Sequence, residues 1–339
     1  MIAETRPAKS FEQEDRQTRD LLKGLSAPRS VIYWTDLLVS SSVGWMALIT
    51  AVRASSALPV AGFAVIAVFA LYRALLLVHE ISHLSGRALP GFETCWNFLV
   101  GFPLLLPSFM YVGVHQSHHS LSSYGTSDDP EYLPFAQSKR MTVVFALESF
   151  LMPAALLIRF LVIAPAGLLY RPLHRWLTCH ASALTMNFSY RRDPVPALTR
   201  KVRIGSILVL AMWAAAIAFF PLRVFITWFG VVSVISFVNT LRTLVAHRYE
   251  NHGDPLDRRG QLADSLDTPG AFWTELWAPV GLRYHALHHY FPGIPYHNLY
   301  KAHRLLMESL PSDSAYCGSL NRSLAGGLTS LLKASRIPR

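Results

Sequence analysis

Histidine is the residue type whose placement in this sequence indicates chemistry. The chain of 339 residues contains 14 histidines, and most of them fall in the short motifs H-E-I-S-H, H-Q-S-H-H and H-A-L-H-H. Residues three or four apart share one face of a helix, so each motif presents its imidazoles together. The histidines of these motifs are His79, His83, His115, His118, His119, His285, His288 and His289.

The repetition of one spacing argues for metal ligands. At this histidine content, H-x-x-x-H is expected roughly 0.5 times by chance and H-x-x-H-H only about 0.02 times, yet the latter occurs twice. A ninth candidate, His247, follows the last long apolar run by one to two turns. Neutral imidazole binds iron, copper, nickel and zinc, and nine exceed the roughly four to six ligands of one metal. The sequence therefore predicts a site for two metals.

Long apolar runs place these motifs at a membrane. Hydrophobic residues make up 52% of the chain and charged residues only 15%, whereas soluble proteins carry about 25% charged residues. At ~1.5 Å per residue, a helix of some 20 residues crosses a bilayer core of about 30 Å. We therefore predict an all-α integral membrane protein with four transmembrane helices in two hairpins. The four runs are 31–52, 57–78, 204–220 and 224–241.

Two further apolar runs contain residues that do not suit a simple span. Residues 96–113 include Pro103 and Pro107, which interrupt helices, so we predict a re-entrant segment that packs against protein. Residues 141–170 include prolines and charged residues and predict an interfacial helix or shallow hairpin. We expect Arg73, inside the second span, to extend its charge toward the cytosolic face.

The distribution of basic residues sets the expected orientation. Each short turn between paired spans carries one basic residue, whereas 169–203 carries seven and the N-terminus six. Because basic loops stay in the cytosol, we expect both termini and the histidine motifs to be cytosolic. The polar residues from 248 onward should form a cytosolic helical cap. The net charge of +10 then matches anionic lipid headgroups rather than nucleic acid. The expected domains are a flexible tail at 1–30, a membrane domain with its cap at 31–310, and a C-terminal tail at 311–339.

The three motifs, in this order around two hairpins, resemble those of the membrane fatty acid desaturase and hydroxylase superfamily. The similarity extends to the flanking segments WNFLVGFPLLLPSFMY, YGTSDDPEYLP, LRTLVAHRYEN and WAPVGLRYHALHHYFPGIPYHNLYKAHRLL. It covers roughly residues 60–310 and looks like a bacterial branch, which implies the bacterial inner membrane. The resemblance implies a di-iron centre with the eight motif histidines as ligands, and it supports His247. It also implies O₂ as co-substrate, a lipid acyl substrate and a separate electron donor such as a ferredoxin.

The reaction type stays open at this stage. Desaturation and hydroxylation share the ligand set; the flanking similarity favours desaturation of a fatty acyl chain. The alternatives are hydroxylation, acetylene formation, or action on a carotenoid, sterol or alkane. H-E-I-S-H also matches the H-E-x-x-H motif of zinc proteases, but that leaves the other clustered histidines without a role. A metal transporter or sensor is the non-enzymatic alternative, although transport would place polar groups near the middle of the membrane.

Imidazole ligands need polar partners that orient them. We expect Asp129 and His297 to be the main ones. The other candidates are Glu80, Asp128, Glu131, Asn251, Asp264, Asp267 and Asn298, with Asn239 or Asn251 considered for a water-mediated metal contact. We expect His174, His180, His252 and His303 at the surface or behind the ligands. An acidic electron carrier is expected to bind a basic surface formed by Arg191, Arg192, Arg200 and Lys201.

Overall fold

The computed structural model describes residues 11–84, 86–181 and 186–335. Within these ranges the chain is helical and has isolated β-bridges but no strand, which confirms the predicted all-α fold. The α-helices are α1 (Phe11–Leu21), α2 (Ser30–Arg53), α3 (Ala57–His83), α4 (Phe92–Trp96), α5 (Ser108–Tyr111), α6 (Val114–His118), α7 (Lys139–Glu148), α8 (Met152–Leu157), α9 (Ala164–Leu169), α10 (Arg171–Trp176), α11 (Pro196–Phe219), α12 (Leu222–Leu244), α13 (Arg258–Asp264), α14 (Thr274–Trp277), α15 (His285–Tyr290), α16 (Tyr296–Ser309) and α17 (Leu324–Ala334). Short 3₁₀ or π segments are Asn97–Gly101, Phe135–Gln137, Ser149–Leu151, Ile158–Ile163, Leu177–Ala181 and Cys317–Ser319.

The two predicted helical hairpins are α2–α3 and α11–α12. All four helices are long and apolar enough to cross a membrane. In the first hairpin the helices approach closely, because a Cβ at Gly44 would lie only 2.6 Å from the Leu71 side chain. Apolar side chains also cover the outward faces: Met46 is 63% exposed and Ile226 63%. Such faces suit contact with lipid.

A fifth segment, Lys139–Leu169, also has the length and composition of a span, where the sequence predicted a shallow or interfacial element. It is not one regular helix. The 3₁₀ turn Ser149–Leu151 and the π segment Ile158–Ile163 interrupt it. Its prolines stand in the first turns of α8 and α9, where the missing N–H costs no helical hydrogen bond.

The contacts of this segment show where its two halves lie. The first half runs beside α12, where the Ser233 hydroxyl donates to the Phe150 carbonyl at 3.0 Å. By Gly167 the chain has returned to the N-terminal turns of α11. Gly167 packs against His174, and His174 Nε2 is 3.1 Å from the carbonyl of Thr199 in α11. The start of α11 and the end of α12 share one end of their hairpin. These contacts favour the shallow hairpin.

The apolar segment 96–113 enters the bundle as the π segment Asn97–Gly101 followed by an irregular loop, 102–107, between α4 and α5. Its free carbonyls would be costly at membrane depth without partners. Three tryptophans from three different spans supply them, each through the indole N–H. The pairs are Trp45 to the Leu99 carbonyl at 2.7 Å, Trp213 to that of Phe102 at 3.1 Å and Trp228 to that of Pro103 at 3.0 Å. The loop is thus packed against protein, as predicted for a re-entrant segment.

Arg73 differs from the expectation that it extends alone toward the cytosolic face. Its Nε and Nη2 donate to both carboxylate oxygens of Asp36 in α2, at 2.7 and 2.6 Å. Its Nη1 lies 3.3 Å from Glu275 Oε2 in α14. Tyr296 of α16 also donates to Asp36, at 2.7 Å. The arginine therefore joins the first hairpin to the cap, because a paired charge is less costly than an isolated one in this setting.

The N-terminal segment also differs from the expectation of a flexible tail, except that residues 1–10 lie outside the described residues. Helix α1 packs onto the cap, where Arg258 Nε is 3.1 Å from Asp15 Oδ1. Farther along, the Asn298 amide donates to the Leu25 carbonyl at 2.7 Å. The sequence missed this order because the helix is polar and short, and its packing depends on partners distant in the chain.

The C-terminal residues contribute to the cap as well. Ser319 accepts from the Asp267 backbone N–H at 2.9 Å, and the Asn321 N–H donates to the Asp267 carbonyl at 2.7 Å. Helix α17 packs against α12, and its Leu331 is buried with Phe135 and Tyr249. Residues 311–335 are therefore tied to the segment that precedes the third histidine motif.

Candidate metal centre

Four segments bring the nine predicted histidines together. His79 and His83 occupy the last turns of α3, and His247 follows the end of α12. The second motif forms α6 with the residue after it, directly beyond the re-entrant segment. The third motif begins the short helix α15, within the cap. Both hairpins, the re-entrant segment and the cap thus each supply ligand candidates at one end of the bundle.

The histidines form two groups, within each of which the candidate ligand atoms lie within 4.8 Å of one another. We call them the five-histidine group and the four-histidine group. The five-histidine group contains His79, His83, His115, His119 and His288. The four-histidine group contains His118, His247, His285 and His289.

The two H-x-x-H-H motifs divide between the groups in a reciprocal way. In the second motif, His115 and His119 join the five-histidine group, and the middle residue His118 joins the other. In the third motif the middle residue His288 joins the five-histidine group, whereas His285 and His289 join the four-histidine group. Each motif therefore contributes to both groups and holds them next to each other.

The arrangement of the imidazole nitrogens suits bound metal ions better than hydrogen bonds between the histidines. The Nε2 atoms converge: His288 lies 3.1 Å from His83 and 3.2 Å from His119, and His285 lies 2.9 Å from His247 and 3.0 Å from His289. Two neutral imidazoles that face each other through Nε2 share at most one hydrogen. Several lone pairs converging on one point instead suit a bound cation.

Burial keeps most of these imidazoles neutral and able to bind metal. Burial first, and neighbouring histidines second, hold the pKa well below its usual value in His115, His119, His285, His288 and His289. The pKa of His247 is lowered in the same way, by burial and then by the charge of His118. A metal ligand must be deprotonated, so this environment prepares the site.

His118 is the exception, and Asp129 is the cause. Both residues are buried, and His118 Nδ1 lies 2.9 and 3.0 Å from the two Asp129 carboxylate oxygens. Burial disfavours the charged imidazole, but the Asp129 carboxylate outweighs it and raises the pKa of His118. The N–H groups of Gly125 and Glu131 donate to Asp129 and fix it in place. With Nδ1–H committed to Asp129, His118 presents Nε2 to the four-histidine group.

A tyrosine orients His247. The Tyr124 hydroxyl lies 2.8 Å from His247 Nδ1 and donates to Asp264 Oδ2 at 2.8 Å. Because the phenol has one hydrogen, it donates to the carboxylate and accepts from Nδ1–H, which frees Nε2. Asp264 also accepts from Tyr132 at 3.2 Å. Burial raises the pKa of Asp264 to about 6.

In the five-histidine group, His115 has the clearest support. Its Nδ1 lies 2.9 Å from the Tyr111 hydroxyl and 3.0 Å from Glu131 Oε1. Burial raises the pKa of Glu131 to about 7, so its carboxylate is less firmly ionised than a surface glutamate. By contrast, the Nδ1 atoms of His79, His119 and His288 are buried with no hydrogen-bond partner in the described ranges.

Asp267 acts on the third motif through the backbone. Its Oδ1 accepts from the Leu287 N–H at 3.1 Å, within α15. Its Oδ2 accepts from Tyr316 at 2.7 Å, and the same hydroxyl lies 2.7 Å from His303 Nδ1. Asp267 therefore fixes the helix that serves both groups, without touching an imidazole of either.

Several predicted partners lie away from the centre. His297 was expected near the ligands, but its ring accepts from the Arg29 N–H and contacts Asn298. Glu80 lies beside the centre rather than away from it: its Oε1 is 3.6 Å from His79 Nδ1, while its Oε2 accepts from Tyr33 and from the Tyr296 N–H. The Asn298 amide donates to the Leu25 carbonyl, the Asn251 amide donates to the carbonyls of Gly125 and Asp254, and the Asp128 backbone N–H donates to Thr126 Oγ1. The other histidines contact groups outside the centre: His174 contacts Thr199, His180 contacts Trp176, His252 contacts Gln137 and His303 contacts Tyr316.

The expected basic surface is also altered. Arg192 is half-buried and donates to the carbonyls of Phe109 and Val112 at 2.8 and 3.0 Å, and Lys201 pairs with Glu93 at 2.6 Å. Arg191 and Arg200 remain exposed.

Sequence reasoning missed the tyrosines of the site. Tyr111 stands only four residues before His115, and this closeness was the available signal, although Tyr111 ends α5 and His115 lies in α6. Tyr124 and Tyr316 reach their partners only through the tertiary fold.

Comparison with known proteins places this centre in a family. The family model for fatty acid desaturases matches residues 55–321. The chain belongs to the fatty acid desaturase family. A relative named ceramide hydroxylase, from Caulobacter vibrioides, is 37% identical over 329 residues, which span 95% of this chain and 93% of that protein.

Family membership settles the broad class. It implies an oxidoreductase that acts on lipids, and the apolar helices fit a multi-pass membrane protein. The zinc protease and transporter alternatives lose support, because all nine histidines fall into two adjoining groups.

Proposed function

We propose that this protein is an O₂-dependent lipid hydroxylase that acts on the acyl part of a ceramide-like lipid. The observation that carries the proposal is the pair of histidine groups in a chain 37% identical to a ceramide hydroxylase along nearly its whole length. Hydroxylation is thus favoured over the desaturation expected from the flanking segments. We assign the nine histidines as ligands of two irons, five to one and four to the other.

The proposed reaction balances with an external donor. A lipid C–H, O₂, two electrons and two protons yield C–OH and water. The irons, when bound, supply the O₂ activation. The chain's own residues hold three of the imidazoles in one tautomer: Asp129 holds His118, Tyr124 holds His247 and Glu131 holds His115. The buried surroundings exclude water from the site.

Desaturation of an acyl chain is the second candidate, since the family model itself is that of fatty acid desaturases. It needs the same O₂ and two electrons but removes two hydrogens from adjacent carbons and yields two waters. The ligand set does not separate the two outcomes. In this proposal the protein lies in the bacterial inner membrane. A separate acidic protein donates the electrons, and it binds a cytosolic surface that includes Arg191 and Arg200.

Expression in a bacterial host supplied with ceramide tests the proposal. Lipids are extracted and analysed by mass spectrometry, with a His118→Ala variant as control and metal content measured in parallel. We expect a lipid heavier by one oxygen that the variant does not form, and about two irons per chain. A new double bond instead would support the desaturase. One zinc per chain and no oxidised lipid would contradict both.

A further inference from the structure

Arg242 is a cation near the metal centre that has no acidic partner. It lies in the last turn of α12, five residues before His247. No carboxylate of the described residues is within ion-pair distance of it, unlike Arg73, which pairs with Asp36 and Glu275. Its Nε is buried and lacks a hydrogen-bond partner in the same part of the chain. Leaving such a group unpaired is costly, so the position calls for an acceptor.

Its neighbours are polar and uncharged. Arg242 Nη2 lies 3.2 Å from Asn239 Oδ1 and 3.0 Å from Thr243 Oγ1. Asn239 Oδ1 also lies 3.4 Å from the Tyr72 hydroxyl, which is 3.1 Å from the Trp277 carbonyl. The cluster of Tyr72, Asn239 and Arg242 therefore joins α3, α12 and α14. Tyr72 is fully buried and donates within the cluster, which leaves the Arg242 guanidinium and the Asn239 amide N–H groups as donors for a ligand.

The cluster lies on the membrane side of both histidine groups. Tyr72 precedes His79 by seven residues on α3, which is about 10 Å of helix. Arg242 precedes His247 by five residues at the end of α12, so the cluster lies on two helices that lead to ligands of both groups. A lipid that reaches the metals from the bilayer passes this cluster.

The depth of the cluster matches the polar boundary of a bilayer. Phe272 and Trp273, just before α14, are 82% and 58% exposed. Exposed aromatic side chains beside apolar spans are typical of the membrane–water interface. Trp277, at the end of that helix, gives its carbonyl to the cluster. The polar end of a lipid occupies this same level.

We propose that Arg242 and Asn239, which Tyr72 holds in place, bind an uncharged oxygen of the lipid's polar end, such as an amide carbonyl or a hydroxyl, and thereby place a carbon near that end at the metals. The inference rests on the proposed function and narrows it. A site for a mid-chain methylene would instead need apolar walls next to the metals. The guanidinium and the amide suit an oxygen acceptor.

The first test measures where wild-type protein oxidises its substrate. Ceramide is supplied, and tandem mass spectrometry locates the new oxygen. We expect it on one of the first few carbons from the amide carbonyl. An oxygen or a double bond in the middle of the chain would overturn the inference while leaving the oxidase function intact.

The second test uses Arg242→Gln, with Arg53→Gln as a matched control. Arg53 is an exposed arginine at the opposite end of the first hairpin. We expect Arg242→Gln to keep its iron, raise KM at least tenfold and spread the product over several positions. Loss of iron with KM and position unchanged would make Arg242 a structural residue and overturn the inference.

Binding to iron-free protein separates this inference from the proposed reaction. Purified protein in neutral detergent is mixed with ceramide or with a fatty alkane of equal length, and retained lipid is measured by native mass spectrometry. We expect wild type and Arg53→Gln to retain ceramide and Arg242→Gln to lose that preference. Equal retention by all three proteins would overturn the inference, even if wild type hydroxylates lipids.

Discussion

The two histidine groups differ in how they are supported, although they share two sequence motifs. The four-histidine group is fully buried, and carboxylates stand behind two of its members: Asp129 behind His118 and Asp264, through Tyr124, behind His247. The five-histidine group has more ligands, with His83 and His119 only partly buried, but one carboxylate within hydrogen-bond distance of an imidazole, that of Glu131 at His115. Among the described residues, buried Nδ1 atoms without a partner occur in both groups: those of His285 and His289 in the four-histidine group, and those of His79, His119 and His288 in the other. The four-histidine group thus has the larger share of imidazoles oriented by a partner, and the five-histidine group has more imidazoles.

This difference teaches how a repeated motif can build two unequal sites. The reciprocal division of the H-x-x-H-H motifs couples the groups, so a shift of α6 or α15 changes both. What distinguishes them lies outside the motifs, in Asp129, Asp264 and the tyrosines. Removing histidine ligands tests whether the two groups differ, and removing the carboxylates and tyrosines that orient them tests why.

Ligand removal should have the largest effect, and an unequal one. His118→Ala leaves three histidines in its group, whereas His83→Ala leaves four in the other. We expect His118→Ala to lose one of two irons and all measurable hydroxylation, because nothing nearby replaces the ligand. His83→Ala should keep both irons at weaker affinity. Metal analysis after dialysis checks this, and equal iron loss in the two variants would contradict it.

Removal of a carboxylate support should have a smaller effect. Asp129→Asn keeps the size of the side chain but loses the charge that orients His118, and such partners are worth about 10–100-fold in metal affinity. Glu131→Gln should cost less, since His115 keeps Tyr111 as a partner. Titration with a chelator measures both.

The matched control for this pair is Asp129→Asn in the His118→Ala background. It should add little to the loss, because the two residues act as one unit. A full additional loss would mean that Asp129 supports the site by another route.

The pH dependence of metal binding should also separate the groups. The pKa of His118 is raised by Asp129, so as pH falls through that value a proton occupies His118 and competes with the metal. Affinity of the four-histidine group should then fall by up to about tenfold per pH unit. Most members of the five-histidine group, His115, His119 and His288, have lowered pKa values and should keep their metal to lower pH.

Stepwise acidification with iron measured at each pH checks the order of release. Asp129→Asn should weaken the metal affinity of the four-histidine group at every pH but make that affinity fall less steeply with pH, because the cause of the raised pKa of His118 is gone. Release of both irons in one step, at the same pH in wild type and variant, would contradict this assignment.

The nine histidines were predictable from spacing, but their division into two groups was not. The helical-face argument places His115, His118 and His119 on one side of a helix, yet His118 points to the other group because α6 is one short turn between two groups of ligands. Asp129 was predictable from its position after the motif. Tyr124 was not, since its contact with His247 spans 123 residues.

The same limit applies to the fold. Apolar runs gave the four spans, and prolines gave the re-entrant segment. The ion pair of Arg73 with Asp36 links residues 37 apart, and α1 is ordered by contacts with the distant cap. Local patterns carry no information on such partners, so both were expected to be solvent-facing.

Replacing either of the two tyrosines should have the smallest effect. The two replacements should differ in how much iron affinity they cost, and this difference tests how the two groups are supported. Tyr124→Phe leaves Asp264 and His247 Nδ1 without their shared hydroxyl, although Ser265 Oγ lies 3.3 Å from Nδ1. A typical hydrogen bond contributes about 0.5–1.5 kcal/mol net, so iron affinity of the four-histidine group should fall by about 2- to 10-fold. Tyr111→Phe should change little, because Glu131 still accepts from His115. Chelator titration of both variants measures the difference. Equal effects would mean that the carboxylates, and not the tyrosines, set the tautomers in both groups.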